Sequence, residues 1–200
     1  MSEFFRNAEA WEVLRTRFLG DLLARPVVHA WSAGCSLGYE PHTISMLVRE
    51  QSPTARLRVT ATDVDGTILE RARLSRFSGS QMAGISAERR SRFFLPAGDA
   101  WEVRPELRKL VTWARHDLLG DPFEPGFDLI VCRNVVIYFT EAAKGELYRR
   151  FADALTGGGL LFVGATESIA APAAVGLEPV APGFFRKLGE RTRHLPAGRS

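Results

Sequence analysis

The sequence predicts an α/β fold: a parallel sheet wound on both faces by helices, with a small β-subdomain inserted into it. Three observations carry this. Short apolar runs bounded by turn residues recur along the 200 residues. Amphipathic helical stretches separate most of them, and strands alternating with helices imply a parallel sheet. Residues 75–109 break that rhythm with turn residues and short strands. Hydrophobic residues make up 46% of the chain, enough for one full core.

In chain order, residues 7–24 place Trp11, Leu14, Phe18 and Leu22 on one helical stripe, and Pro26 ends that helix. Residues 1–26 are thus an N-terminal segment and helix, and 27–188 the main domain. VVHAWSA (27–33) reads as a buried strand, followed by the glycine-bearing turn GCSLG. Pro41 suits the first turn of the next helix, which runs through Ile44, Leu47 and Val48. A second strand ends at Asp63, and a helix spans about Thr67 to Leu74. Within 75–109, short strands are expected around Phe93–Leu95 and Trp101–Arg104. LVTWARHDLL and FDLIVCRN are two more strands with polar ends. A long helix carries Leu147, Phe151 and Leu155 and is expected to stop at Gly157-Gly158-Gly159. LLFVGA and GFFRKL are the closing strands, and the tail 189–200 has no reason to be ordered.

Bulk properties narrow the function. The net charge of +3 is almost all arginine against interspersed acids, with no stripe for a nucleic-acid backbone. The denser cluster Arg89, Arg90 and Arg92 reads as a solvated face. No apolar run reaches membrane-span length and no signal-peptide core is present, so a cytoplasmic protein without membrane insertion is expected. Cys35 and Cys132, two isolated cysteines, suit buried structural thiols. The histidines, His29, His42, His116 and His194, have no ligand spacing, so no metal site is expected.

The polar residues of interest all fall at strand ends, where ligands bind in wound sheets: Gly34, Asp63, Asp117 and Asn134. A glycine turn lets a ligand approach the backbone, and Asp63, at the second strand's end, can accept from both ribose hydroxyls of a nucleoside. The turn offers only Gly34 and Gly38, which suits a nucleoside with a short zwitterionic tail better than a pyrophosphate. Each residue also has a plainer reading. Glu40 complements a helix start, Asp65 is a cap, and Asp117 and Asn134 satisfy strand-end backbone groups. Periodicity does not separate these readings.

The segments WSAGCSLGYEP, VTATDVDGTILERAR, FDLIVCRNVVIYF and GGLLFVGATESI resemble the chemotaxis receptor methyltransferases, the CheR family. The opening SEFFRN is similar to the family's segment before the catalytic domain. The resemblance, over residues 1–188, implies a Rossmann-like S-adenosylmethionine-dependent methyltransferase fold. It also implies methylation of glutamate side chains on chemotaxis receptor cytoplasmic domains, leaving S-adenosylhomocysteine. By the same resemblance Ser2 and Arg6 would reach the cofactor, Glu40 its methionine part over the Gly34–Gly38 turn, and Asp63 its ribose. Asp117 and Leu118 would flank the adenine, where the family more usually has asparagine before leucine. Cys132, Arg133 and Asn134 would line the fourth strand's end, and Arg6 and Tyr138 would stand nearest the methyl group as catalytic residues. Residues 75–109 would be the family's β-subdomain, which docks a receptor tail in some members. The family's preceding helical domain has no counterpart after Met1, which bears on the acceptor more than on the cofactor. Other acceptors stay open on that ground: another protein, a small acid, or none, as in a non-catalytic cofactor-binding signalling module.

Methyl transfer to a carboxylate needs no general base, since glutamate is ionised at neutral pH. That agrees with a chain lacking a nucleophile–histidine–acid or metal constellation. Arg6 is expected to orient the incoming carboxylate, and Tyr138 either to orient it, to cover the sulfonium, or simply to pack at a helix start.

Overall fold

The computed structural model describes residues 3–136, 139–164, 167 and 169–189. The first helix forms as α1 (Ala8–Val13) and α2 (Leu19–Leu23), joined by one π-type stretch at Leu14–Phe18. Its predicted stripe, Trp11, Leu14, Phe18 and Leu22, is buried. Next come β1 (Val28–Ala33), α3 (Tyr39–Gln51), β2 (Leu57–Asp63) and α4 (Gly66–Arg73). The Asp65 side chain caps α4, accepting from Thr67 and Ile68 amides at 2.8 and 3.2 Å, so its plainer reading holds.

Residues 76–108 carry β3 (Arg76–Ser78), α5 (Ala87–Phe93), β4 (Phe94–Ala97), β5 (Ala100–Val103) and α6 (Pro105–Arg108). The three strands form a separate antiparallel sheet in the order β3-β5-β4. β6 (Val111–Arg115), β7 (Phe127–Cys132), α7 (Glu141–Ala154) and β8 (Leu155–Val163) restore the alternation, and β9 (Leu177–Ala181) and β10 (Phe184–Lys187) close the chain.

The main sheet has the order β6-β2-β1-β7-β8-β10-β9. β6, β2, β1, β7 and β8 run parallel, while β10 and β9 pair antiparallel at one edge. From β1 the chain builds outward through β2 and β6, then returns to β7 on β1's other side. That reversal opens a crevice above the carboxyl ends of β1 and β7. Alternate strand residues feed two cores. Ala30, Leu129, Val131 and Phe162 join the layer with α3 and the N-terminal helix, whereas Trp31, Ile130, Cys132 and Leu161 join the layer under α7.

Three expectations need correction. The helix before β8 stops at Ala154, not at the glycine triplet. Leu155 is already extended and pairs with Phe127, and the three glycines lie inside β8, where the pairing with β7 shifts register. Gly158 takes a left-handed φ of 70°, and a Cβ on Gly159 would meet the Thr156 carbonyl oxygen at 2.9 Å. The glycines thus serve a bulge rather than a helix stop. Strands β3 and β9 were not expected: β3 is only Arg76–Ser78, and β9 carries Glu178 and Pro179 at its centre. Finally, Arg89 is not merely solvated. It makes a two-pronged pair with Glu50 (2.7 and 2.9 Å) and lies 3.8 Å from the centre of the Phe5 ring.

The start of the chain, residues 3–7, crosses from the β-subdomain to the crevice. Phe4 is buried among Tyr39, Phe77 and Phe94, with ring centres 4.9, 4.7 and 5.6 Å away. It approaches so closely that a Cβ on Gly84 would fall 2.4 Å from the Phe4 carbonyl oxygen.

Candidate active site

The turn between β1 and α3 is stapled to the end of β2. Gly34 and Cys35 both donate to the Thr62 carbonyl at 2.8 Å, and the Ser36 amide donates to Asp63 Oδ2 at 2.8 Å. Gly34, Ser36 and Gly38 all take positive φ (82°, 49° and 88°). Gly34 faces the crevice and is pressed against Val135, whose Cγ2 would lie 2.4 Å from an added Cβ. Gly38 faces the other way. Its missing side chain makes room for the Trp113 ring, 2.7 Å from an added Cβ.

Two cavities meet over this turn, sharing Gly34 and Asn134 as their common wall. One, about 50 Å³, is charged: Glu3, Arg6, Glu40 and Arg133 line it with Trp11, Ser36 and Tyr39. The other, about 330 Å³, is mostly apolar, walled by Val64, Leu118, Leu119, Val135 and Phe139, with Asp63, His116 and Asp117 at its polar points. Its volume is in the range of small-molecule sites, ~300–1,000 Å³.

Glu40, in the first turn of α3, accepts a hydrogen bond from the Ser32 hydroxyl at 2.7 Å. Burial pushes its carboxyl up to about 7, opposed by that bond and by the nearby Arg133 charge. Arg133 is almost fully buried. Burial lowers its pKa, and Glu40 pulls the other way. Its guanidinium lies against the edge-to-face pair of Trp11 and Phe162, 5.4 and 4.9 Å from the two ring centres. At the apolar end, Asp63 still has acceptor capacity after receiving the Ser36 and Asp65 amides. Asp117 accepts from the Leu119 amide at 2.9 Å, an Asx-type turn that holds Leu118 and Leu119 against the cavity. His116 packs edge-on to Trp31, and burial lowers its pKa. Asn134 stands left-handed at the end of β7, φ 60°, a conformation asparagine tolerates.

Of the residues singled out from sequence, Arg6, Gly34, Glu40, Asp63, Asp117, Leu118, Arg133 and Asn134 line this double cavity. Gly38 and Cys132 do not: Gly38 packs on Trp113, and the Cys132 side chain is fully buried in the core under α7. Ser2 and Tyr138 lie outside the described residues. Sequence reading missed Glu3, Trp11, Tyr39, His116 and Phe139. His116 alone had a signal, directly preceding Asp117. The donor set suits a ligand with a zwitterionic tail and a flat apolar base: opposite charges at one end, and apolar walls at the other with the Asp63 carboxylate, which has acceptor capacity to spare, among them.

Comparison with known proteins agrees with that geometry. A family model described as the CheR methyltransferase SAM binding domain matches residues 1–178. A chemotaxis protein methyltransferase of Listeria innocua is 41% identical over 189 residues, covering 94% of this chain and 72% of its own. Chemotaxis protein methyltransferase 1 of Pseudomonas aeruginosa is 35% identical over 178 residues, 83% of this chain and 65% of its own. Among solved structures, a possible exported protein from Bordetella parapertussis superposes with a TM-score of 0.56 at 18% identity, over 94% of this chain and 71% of its own. That last likeness concerns the fold alone.

Proposed function

The chain belongs to the CheR methyltransferase family and is an S-adenosylmethionine-dependent methyltransferase, and from that premise we propose that it esterifies glutamate side chains of chemotaxis receptors in the cytoplasm. The observation that carries the reading is the two-part crevice, charged at one end and apolar at the other, with Arg6 on the charged side. Among the described residues no helix is long and apolar enough to cross a membrane.

In this reading Glu40 and Arg133 hold the charged ends of the cofactor's amino-acid part. Asp63 accepts from the ribose hydroxyls, and Leu118, beside Asp117, flanks the adenine. Asp117 carries acceptor oxygens only, so it suits the exocyclic amine of the base and not a ring nitrogen. Bound S-adenosylmethionine supplies a methyl group attached to a positively charged sulfur. The acceptor carboxylate arrives ionised, so this chain's task is orientation and not proton removal. Arg6 guides that carboxylate by a charge-assisted hydrogen bond, loosely enough to leave its attacking oxygen nucleophilic. By the family resemblance Tyr138 would stand nearest the methyl group, to orient the carboxylate or to cover the sulfonium.

Radiolabelled cofactor incubated with receptor cytoplasmic fragments is expected to leave base-labile label on the receptor. Arg6→Ala is expected to keep most cofactor affinity by calorimetry while losing most transfer. Label that survives base would exclude a carboxyl ester. Full transfer by Arg6→Ala would take Arg6 out of the mechanism.

A further inference from the structure

Asn7 immediately precedes α1, the position where an asparagine ordinarily turns its side-chain oxygen onto a free amide of the first helical turn. Here it makes no such bond. Its backbone is left-handed, φ 58°, and Oδ1 instead accepts a hydrogen bond from Arg133 Nη2 at 3.1 Å, across 126 residues of sequence. On the other side of Arg6, Phe5 is left-handed too, φ 52°, which is rare for a bulky residue. Arg6 is therefore bracketed by two left-handed residues, each held by a distant contact: a strained Phe5 under Arg89, and Asn7, of a type that tolerates the conformation, on Arg133. Strain at Phe5 beside a cavity wall, with a helix cap forgone at Asn7, points to a demand from the site.

Arg133 shows what that demand is. Its side chain is almost fully buried against the edge-to-face rings of Trp11 and Phe162, which offer it no oxygen acceptor. Its Nε is buried without a hydrogen-bond partner among the described residues. The directional restraint on the guanidinium is the hydrogen bond it donates to the Asn7 oxygen.

We propose that Asn7 is a positioning residue: it sets the Arg133 guanidinium in the charged cavity and, through the same bond, clamps the strap that presents Arg6. The inference rests on the reading of this cavity as the seat of the cofactor's charged tail. The test is calorimetric binding of S-adenosylhomocysteine to the unsubstituted chain, N7G and N7D, with melting temperatures measured alongside. Glycine takes φ 58° freely, so N7G is expected to match or exceed the parent's melting temperature while binding at least tenfold more weakly. N7D keeps an acceptor oxygen for Arg133 and is expected to bind within a few-fold of the parent. A merely structural asparagine would not produce weak binding at an undiminished melting temperature with rescue by aspartate. Unchanged affinity in N7G, or affinity lost equally in N7D, overturns the inference alone. Absence of binding by the unsubstituted chain overturns the reading of the cavity and this inference with it.

Discussion

Glu40 shows how a residue with two readings acquires one. As an acid in the first turn of α3 it complements the helix dipole, a contribution of ~0.3–1 kcal/mol. Burial beside Ser32 and Arg133 adds a second consequence, because it raises the carboxyl from 4.5 to about 7. The folded chain therefore holds a proton that the unfolded chain releases at lower pH. The stability linked to that proton is complete below about 4.5 and is lost as pH rises through about 7. A cationic ligand group prefers the ionised form. Cofactor affinity is accordingly expected to rise between about pH 6 and 8, and the rise should flatten in Glu40→Gln. Calorimetry across that range checks it, and parallel profiles for the two proteins would separate Glu40 from the ligand.

At the scale of elements, α3 is the main support of the crevice, packing on β1 and β2. Its buried face includes His42, whose Nε2 lies 3.0 Å from the Ser75 hydroxyl while Nδ1 has no partner among the described residues. Burial holds this imidazole neutral, lowering it from 6.5 to about 3. The sign is opposite to that of Glu40. The unfolded chain takes up a proton here as pH falls below about 6.5, the folded chain only near 3, so stability drops through that interval. His42→Phe keeps an aromatic ring beside Phe77 and Trp113 and removes the titrating group. Its urea midpoint is expected to fall less than the parent's on going from about pH 7.5 to 5.5. Equal losses would place the acid sensitivity elsewhere.

Across the whole molecule, the N-terminal strap couples the β-subdomain to the crevice. Phe4 plugs the aromatic group of Tyr39, Phe77 and Phe94, and two residues later Arg6 enters the charged cavity. Removing that ring from a fully enclosed site costs ~3–5 kcal/mol in comparable cores. Phe4→Ala is expected to lose stability of that order in urea unfolding. Amide exchange should quicken in β3 and β5 more than in β7, because the strap bears on the small sheet directly. Uniform quickening would show that the subdomain and the main sheet open as one unit.

Much of this fold is legible in the sequence itself. Apolar runs and helical stripes set the wound sheet, since side-chain period and turn chemistry act over a few residues. The same local grammar placed Gly34, Asp63, Asp117 and Asn134 at strand ends. What it left out depends on contacts between distant segments. Trp11, Tyr39 and His116 reach the cavities only because β1 lies between β2 and β7, an order no local pattern encodes. Gly38 carries the same turn signal as Gly34, yet Trp113 from β6 occupies its open side. The glycine triplet reads as a helix stop until Leu155 pairs with Phe127. Sequence alone determined the fold class and the strand ends that carry the site. Only the tertiary structure decided which side chains share the crevice, because that follows from strand order and close packing.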